Sequence, residues 1–247
     1  MSLLEIKGLE TEFQTEQGVV KALRGINYTV DRGEVLGIVE ESGSGKSVGM
    51  LSLMGLLAPN GTVTAGEMIF DGEDISPIKY KTKKEKKEYE KKMNQIRGND
   101  ISMIFQDPMS YLNPIVTIEK QMTEGIRFHT KCSKKEAVQR AIELMKMVGI
   151  PAPESRLKQY PFEFSGGMRQ RIIIAIALAC NPKLIVADEP TTALDVTVQA
   201  QILDLLKDIT RESNAGVIII THDLGVVASL CDRISIMYGG NLSLIHI

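Results

Sequence analysis

The sequence predicts an α/β fold built around a parallel sheet, and three observations lead there. Val35–Val39, Leu184–Ala187 and Val217–Ile220 are short apolar runs rich in β-branched residues, as buried parallel strands require. Each run ends in polar residues, the pattern of an open α/β sheet at the end where ligands bind. Between the last two runs, Val198, Ile202, Leu205, Leu206 and Ile209 recur at helical spacing, and strands that alternate with helices imply parallel pairing.

The remaining elements follow from local chemistry. The first thirty residues and Thr62–Ile75 carry strand-like runs separated by turn pairs such as Asn60-Gly61 and Asp71-Gly72, which predicts a small antiparallel sheet beside the core. The run Val35–Val39 feeds a helix expected over Ser47–Leu57. Lys79–Lys92 is rich in Lys, but Glu85, Glu88 and Glu90 interrupt it. A solvated helix with i,i+4 charge pairs fits that pattern better than a nucleic-acid patch. From about 107–164 the patterns are mainly helical, Lys134–Val148 being the clearest, with prolines between them; this stretch is the expected inserted helical subdomain.

Composition narrows the function. The 247 residues are 43% hydrophobic and 24% charged, ordinary globular values that argue against disorder. A net charge of −2 and the absence of Trp argue against nucleic acid as a partner. Cys132, Cys180 and Cys231 form no CxxC pair, so three reduced thiols are expected rather than a zinc or disulfide framework. Met1–Glu10 lacks the pattern of a signal peptide. The longest apolar stretch, Ile172–Cys180, is too short to span a bilayer, so any membrane role is expected to run through a partner chain.

Ser42-Gly43-Ser44-Gly45-Lys46-Ser47 follows a predicted strand and opens a predicted helix. Backbone N–H groups of such a loop wrap phosphates, and the helix N-terminus adds positive potential. Lys46 would reach the β- and γ-phosphates and the Ser47 hydroxyl would bind Mg²⁺. The strict pattern asks for Gly at position 40, where this chain has Glu40. A glycine there permits a tight turn beside the phosphates, whereas a carboxylate repels a triphosphate. The alternative is a single-letter change, since GGA and GAA encode the two residues.

Leu184–Ala187 ends in Asp188-Glu189, and acids at the tip of a buried strand are costly unless used. Asp188 is placed to hold Mg²⁺, directly or through water, and Glu189 to polarise an attacking water. Upstream, Ser165-Gly166-Gly167 precedes a helix and makes a second anion-binding N-terminus, or simply a helix cap.

Over nearly its whole length the chain resembles the ATPase subunits of ABC transporters. Ser165-Gly166-Gly167-Met168-Arg169-Gln170 resembles the ABC signature, with Phe164 and Met168 departing from the commoner Leu and Gln. The resemblance implies a RecA-like P-loop NTPase core. It also implies a signature that touches the γ-phosphate held by an opposite subunit, so that two subunits sandwich two ATPs. Gln106 matches the Q-loop that touches Mg²⁺, Ala193-Leu194-Asp195 the D-loop, and His222 the switch histidine. Phe13 is the candidate for the adenine-stacking aromatic, a core role being the alternative. Asp107–Pro114 and Thr191–Gln201 resemble the dipeptide/oligopeptide/nickel importers in particular.

That resemblance implies Mg²⁺-dependent ATP hydrolysis, a head-to-tail pair with a second ATPase subunit, and two transmembrane permease subunits. An extracytoplasmic peptide-binding protein enters indirectly. The expected location is the cytoplasmic face of the cell membrane, as a peripheral subunit. The alternatives are a soluble ABC ATPase outside transport and a weakly ATP-binding partner subunit, for which Glu40 is the sole support. Such importers usually continue past Met237–Gly240. The tail Leu242–Ile247 is what the end sequence of a transposon used in sequencing adapters encodes, so 242–247 is expected to be artefactual, an apolar terminal strand being the alternative.

Overall fold

The computed structural model describes residues 2–40, 46–105, 111–191 and 196–245. Two sheets organise it. The first is antiparallel, in the order β2 (Gly18–Val30), β1 (Leu4–Thr15), β4 (Gly61–Phe70), β5 (Glu73–Asp74). Asp71 and Gly72, with φ of 51° and 79°, form the two-residue turn between β4 and β5. Two left-handed residues in succession match the right-handed twist of a hairpin, and the pair Asp-Gly is suited to it. Asp71 is also tied outward, to Arg32 and at 2.9 Å to Lys183.

The second sheet runs in the order β10 (Asn241–Ile245), β9 (Arg233–Tyr238), β3 (Val35–Glu40), β8 (Gly216–Thr221), β7 (Leu184–Asp188), β6 (Ile101–Ile104). The five strands from β9 to β6 are parallel, and β10 pairs antiparallel to β9. The apolar tail thus continues the sheet through Ile245.

The continuous apolar runs are explained by burial on both faces. Leu184, Val186, Ile218 and Ile220 point into a core shared with the antiparallel sheet and with helices α1 (Lys46–Met54) and α2 (Lys83–Ile96). Their neighbours Ile185, Ala187, Val217 and Ile219 point into the opposite core. That core also holds α3 (Ile118–Thr130), α4 (Lys134–Met147), α5 (Gly166–Ala177) and α6 (Val196–Ser213). The period-two alternation of strand side chains divides one hydrophobic run between two cores.

Two helices differ from their expected form. α1 ends three residues early because Gly55, with φ of 62°, turns the chain left-handed. Gly55 N–H then donates to Ser52 C=O and Leu56 N–H to Leu51 C=O, the paired bonds that close a helix C-terminus. α2 is not wholly solvated, since Tyr89, Met93 and Ile96 are buried. Its ion pairs reach off the helix, Lys92 to Glu73 at 2.8 Å and Glu90 to Arg97 at 3.1 Å. The helix starts at a reciprocal cap, Thr82 and Glu85 each satisfying the other's backbone N–H. α4 begins at a matching Ser133/Glu136 cap, and α3, α4 and α5 pack together.

Candidate functional site

The site is assembled at the C-terminal ends of three adjacent strands. Parallel pairing in register sets Val39 beside Thr221 and Asp188 beside Ile220, so the chain leaves β3, β8 and β7 along one edge. β3 leads through 41–45, which lie outside the described residues, into α1 at Lys46. Glu40 is the last residue of β3, its backbone in register with Met237 of β9. Ser42, Gly43, Ser44 and Gly45, together with Gln106 and Asp195, fall outside the described residues, as do the side chains of Glu40 and Lys46.

Asp188 is 6% exposed and accepts from the Ser47 hydroxyl at 3.4 Å, a long contact for an O–H···O bond. Two oxygens at adjacent corners of an octahedral Mg²⁺ shell, each about 2.1 Å from the ion, stand about 3 Å apart. Ser47 and Asp188 are therefore close to the spacing that a shared Mg²⁺ asks for, and both donors are oxygens. Among the described residues no group of three or more His, Cys, Asp or Glu could hold a metal. A nucleotide-bound Mg²⁺ needs one or two protein oxygens with phosphate and water for the rest.

Glu189 is 4% exposed and has φ of 44°, a left-handed backbone in a residue with a side chain. That conformation costs roughly 1–2 kcal/mol, and a following proline, here Pro190, favours extended backbone instead. The conformation is held by tertiary contacts: Glu189 N–H donates to Ile220 C=O at 2.8 Å, continuing the ladder to β8. The carboxylate is thereby turned towards β8, where its Oε1 lies 3.0 Å from His222 Nδ1. An ionised carboxylate only accepts, so Nδ1 carries the proton and donates. The His222 side chain is 65% exposed, so a buried acid and an exposed base meet at the site's rim.

The loop after β8 is fixed by its own side chains. Asp223 N–H donates to Thr221 Oγ1 at 3.0 Å, and Asp223 Oδ1 accepts from Gly225 N–H at 2.8 Å at the start of α7 (Leu224–Leu230). The Gly225 N–H holds the Asp223 carboxyl below its ordinary range, and Gln199 of α6 donates to the same group.

Ser165 caps α5, its Oγ accepting from Met168 N–H at 3.4 Å. Ser165 and Gly166 are exposed, while Gly167 and Met168 are half-buried. A Cβ on Gly167 would come within 2.9 Å of Val198 Cγ1, so the close approach of α5 to α6 requires glycine there. Three successive side chains then leave the helix in different directions. Arg169 donates to Phe164 C=O at 3.0 Å and Gln170 to Pro190 C=O at 2.6 Å. Arg171 donates to Val148 C=O and to Gln201 Oε1, both at 2.7 Å. Gln170 and Arg171 were not candidates on sequence. Gln170 stands between Arg169 and Arg171 just before an Ile/Ala run, which gives little signal, and its partner Pro190 is twenty residues away.

Phe13 lies on β1 beside Gly61 of β4, half-buried, its ring filling the space that a Cβ on Gly61 would take.

Residues 23–192 match the family described as ABC transporter. The chain belongs to the ABC transporter family. It is 53% identical over 241 residues to the oligopeptide transport ATP-binding protein OppD of Bacillus subtilis, covering 97% of this chain and 64% of that protein. It is 50% identical to the dipeptide transport ATP-binding protein DppD of the same organism, covering 98% of this chain and 69% of the relative. To OppD of Salmonella typhimurium the identity is 49%, covering 96% of this chain and 68% of the relative. The chain thus spans about two thirds of the length of these relatives. In three dimensions it is similar to the ATP-binding cassette MJ0796 in a dimeric post-hydrolysis state bound to ADP and Pi. The TM-score is 0.81 at 29% identity, with 97% of this chain and 96% of that one covered. The architecture of this ABC cassette is accordingly a mixed α/β fold with one mainly parallel and one antiparallel sheet. Among the described residues no helix of the cassette is long and apolar enough to cross a membrane.

Proposed function

We propose that this ABC cassette binds Mg·ATP at the C-terminal edge of β3, β8 and β7 and hydrolyses it to drive import of short peptides through separate membrane permease subunits. The observation that carries the reading is the cluster Ser47–Asp188 and Glu189–His222, four polar side chains from three separate segments converging on one edge. The names of the relatives support peptides as cargo, and the dimeric MJ0796 structure supports pairing with a second ATPase subunit.

In this reading Ser47 and Asp188 hold Mg²⁺, with Gln106 as a further contact. When bound, Mg²⁺ neutralises the charge that develops on the β- and γ-phosphates. The loop Ser42-Gly43-Ser44-Gly45 wraps the phosphates, Lys46 supplies their counter-charge, and Phe13 stacks on adenine. Glu189 accepts a hydrogen bond from the attacking water and orients it, as a buried carboxylate placed at a strand tip beside His222 can do. His222 presents Nε2 at the rim towards the γ-phosphate position. Ser165, Gly166, Gly167 and Met168 of one subunit close over the nucleotide of the other, with Asp195 beside that junction. The exposure of Ser165 and Gly166 supports a role in meeting a partner.

The segment of about 107–164 is the inserted helical subdomain in this reading, and it would carry the closing motion to the permeases at the cytoplasmic face of the membrane. Because cargo is chosen elsewhere in the assembly, the experiment pairs ATP hydrolysis by the chain with uptake of labelled dipeptide in cells that lack their own ATPase subunit. Restored uptake that Glu189→Gln abolishes supports the whole reading. Hydrolysis without any gain in uptake would retain the ATPase and overturn peptide import.

A further inference from the structure

We infer that Gln170 is a positioning residue that locks Glu189 in its working conformation and makes that conformation depend on where the signature helix sits. The inference rests on the ATPase reading above and adds a residue to it.

Glu189 is held in an unfavourable left-handed conformation and must be pinned on both sides to stay there. On its N-terminal side the pin is its own N–H on Ile220 C=O. On its C-terminal side Pro190 has no N–H to offer, so its carbonyl is the nearest backbone handle. Gln170 Nε2 takes that handle at 2.6 Å. Gln170 is 2% exposed, and its Oε1 has no hydrogen-bond partner among the described residues. A buried amide left half satisfied is costly, which means that the donor end is what this position retains. The donor stands five residues after Ser165, on the first turns of the same rigid helix α5. Arg171, next in sequence, fastens that helix to Val148 at the end of α4 and to Gln201 of α6. A shift of α5 as its N-terminus engages a second subunit therefore pulls on Pro190, and through it on Glu189. One subunit's hydrolytic acid is in this way mechanically tied to the half-site it presents to its partner.

The test uses Gln170→Met, which keeps length and burial, removes the donor and also removes the unsatisfied Oε1. Amide hydrogen exchange of the peptide spanning 184–191, measured without nucleotide, should rise about tenfold. ATP affinity should stay within twofold, and kcat should fall about tenfold with KM nearly unchanged. A second variant, Gln170→Glu, keeps the size and donates to Pro190 C=O only when its carboxyl is protonated. Its activity relative to the parent chain should therefore climb as pH is lowered, while the split of kcat from KM in Gln170→Met separates positioning from packing. Unchanged exchange in Gln170→Met, unchanged kcat, or a flat pH ratio in Gln170→Glu overturns the inference. Failure of the parent chain itself to bind or hydrolyse ATP would overturn the ATPase reading instead, and the exchange result would still judge the clamp.

Discussion

His222 Nδ1 lies 3.0 Å from Glu189 Oε1, joining an exposed ring on the loop after β8 to a buried carboxylate at the tip of β7. In the proposed reaction the ring holds one carboxylate oxygen, and the carboxylate charge orients the water. Glu189→Gln keeps the shape and removes the charge. Turnover should fall by at least about a hundredfold, the lower end of what a positioned general base contributes, while ATP binding stays intact. With hydrolysis blocked, ATP should trap a dimer on gel filtration. Residual hydrolysis within tenfold of the parent chain would remove Glu189 from the role.

Lys46→Ala, at the first residue of α1, should weaken ATP binding. Hydrogen bonds to a charged group are worth about 1.5–3 kcal/mol, so the expected loss is roughly ten- to a hundredfold in affinity. Titration of a fluorescent ATP analogue checks this. An unchanged dissociation constant would dissolve the phosphate-loop assignment.

Glu40 stands where a glycine is expected, at the end of β3 before the loop proposed to receive the nucleotide. Two like charges about 5 Å apart at an effective dielectric near 20 repel by roughly 3 kcal/mol, and salt reduces that figure. Glu40→Gly should tighten ATP binding by about tenfold or more, with a larger gain at low ionic strength. A gain that ignores salt would assign the effect to backbone strain. Equal affinity in both chains would mean that the loop tolerates Glu40.

Gly37, in the middle of β3, faces Cys231 and Val227 so closely that a Cβ would come within 2.8 Å of Cys231 Sγ and 3.1 Å of Val227 Cγ1. Overpacking of this kind costs typically about 1–3 kcal/mol. Gly37→Ala should lower the urea midpoint accordingly, with the slope unchanged. The double variant Gly37→Ala/Cys231→Ala should recover part of the loss. A single variant as stable as the parent would show that α7 moves aside freely. Burial pushes the Cys231 thiol up to about 12, so this cysteine should react slowly with alkylating reagents at neutral pH.

Much of this cassette is readable from local chemistry. Apolar runs of four or five residues marked β3, β7 and β8, because a strand buried on both faces has no polar positions to spare. The polar residues at their ends mark the candidate site, because ligands of such sheets bind beyond the strand tips. The turn pair Asp71-Gly72 set the β4–β5 hairpin, since two left-handed residues suit few side chains. What the tertiary structure alone decided is how distant segments act on one another. Strand order placed β8 beside β7, and that adjacency brings His222 to Glu189. The left-handed turn at Glu189 runs against the preference of a residue before proline, so contacts from Ile220 and Gln170 must impose it. The buried face of α2 was hidden because Tyr89, Met93 and Ile96 are spread thinly through a Lys/Glu-rich run. Sequence spacing reports periodicity along one element, whereas a hydrogen bond between residues twenty or thirty positions apart depends on which elements the shared core packs side by side.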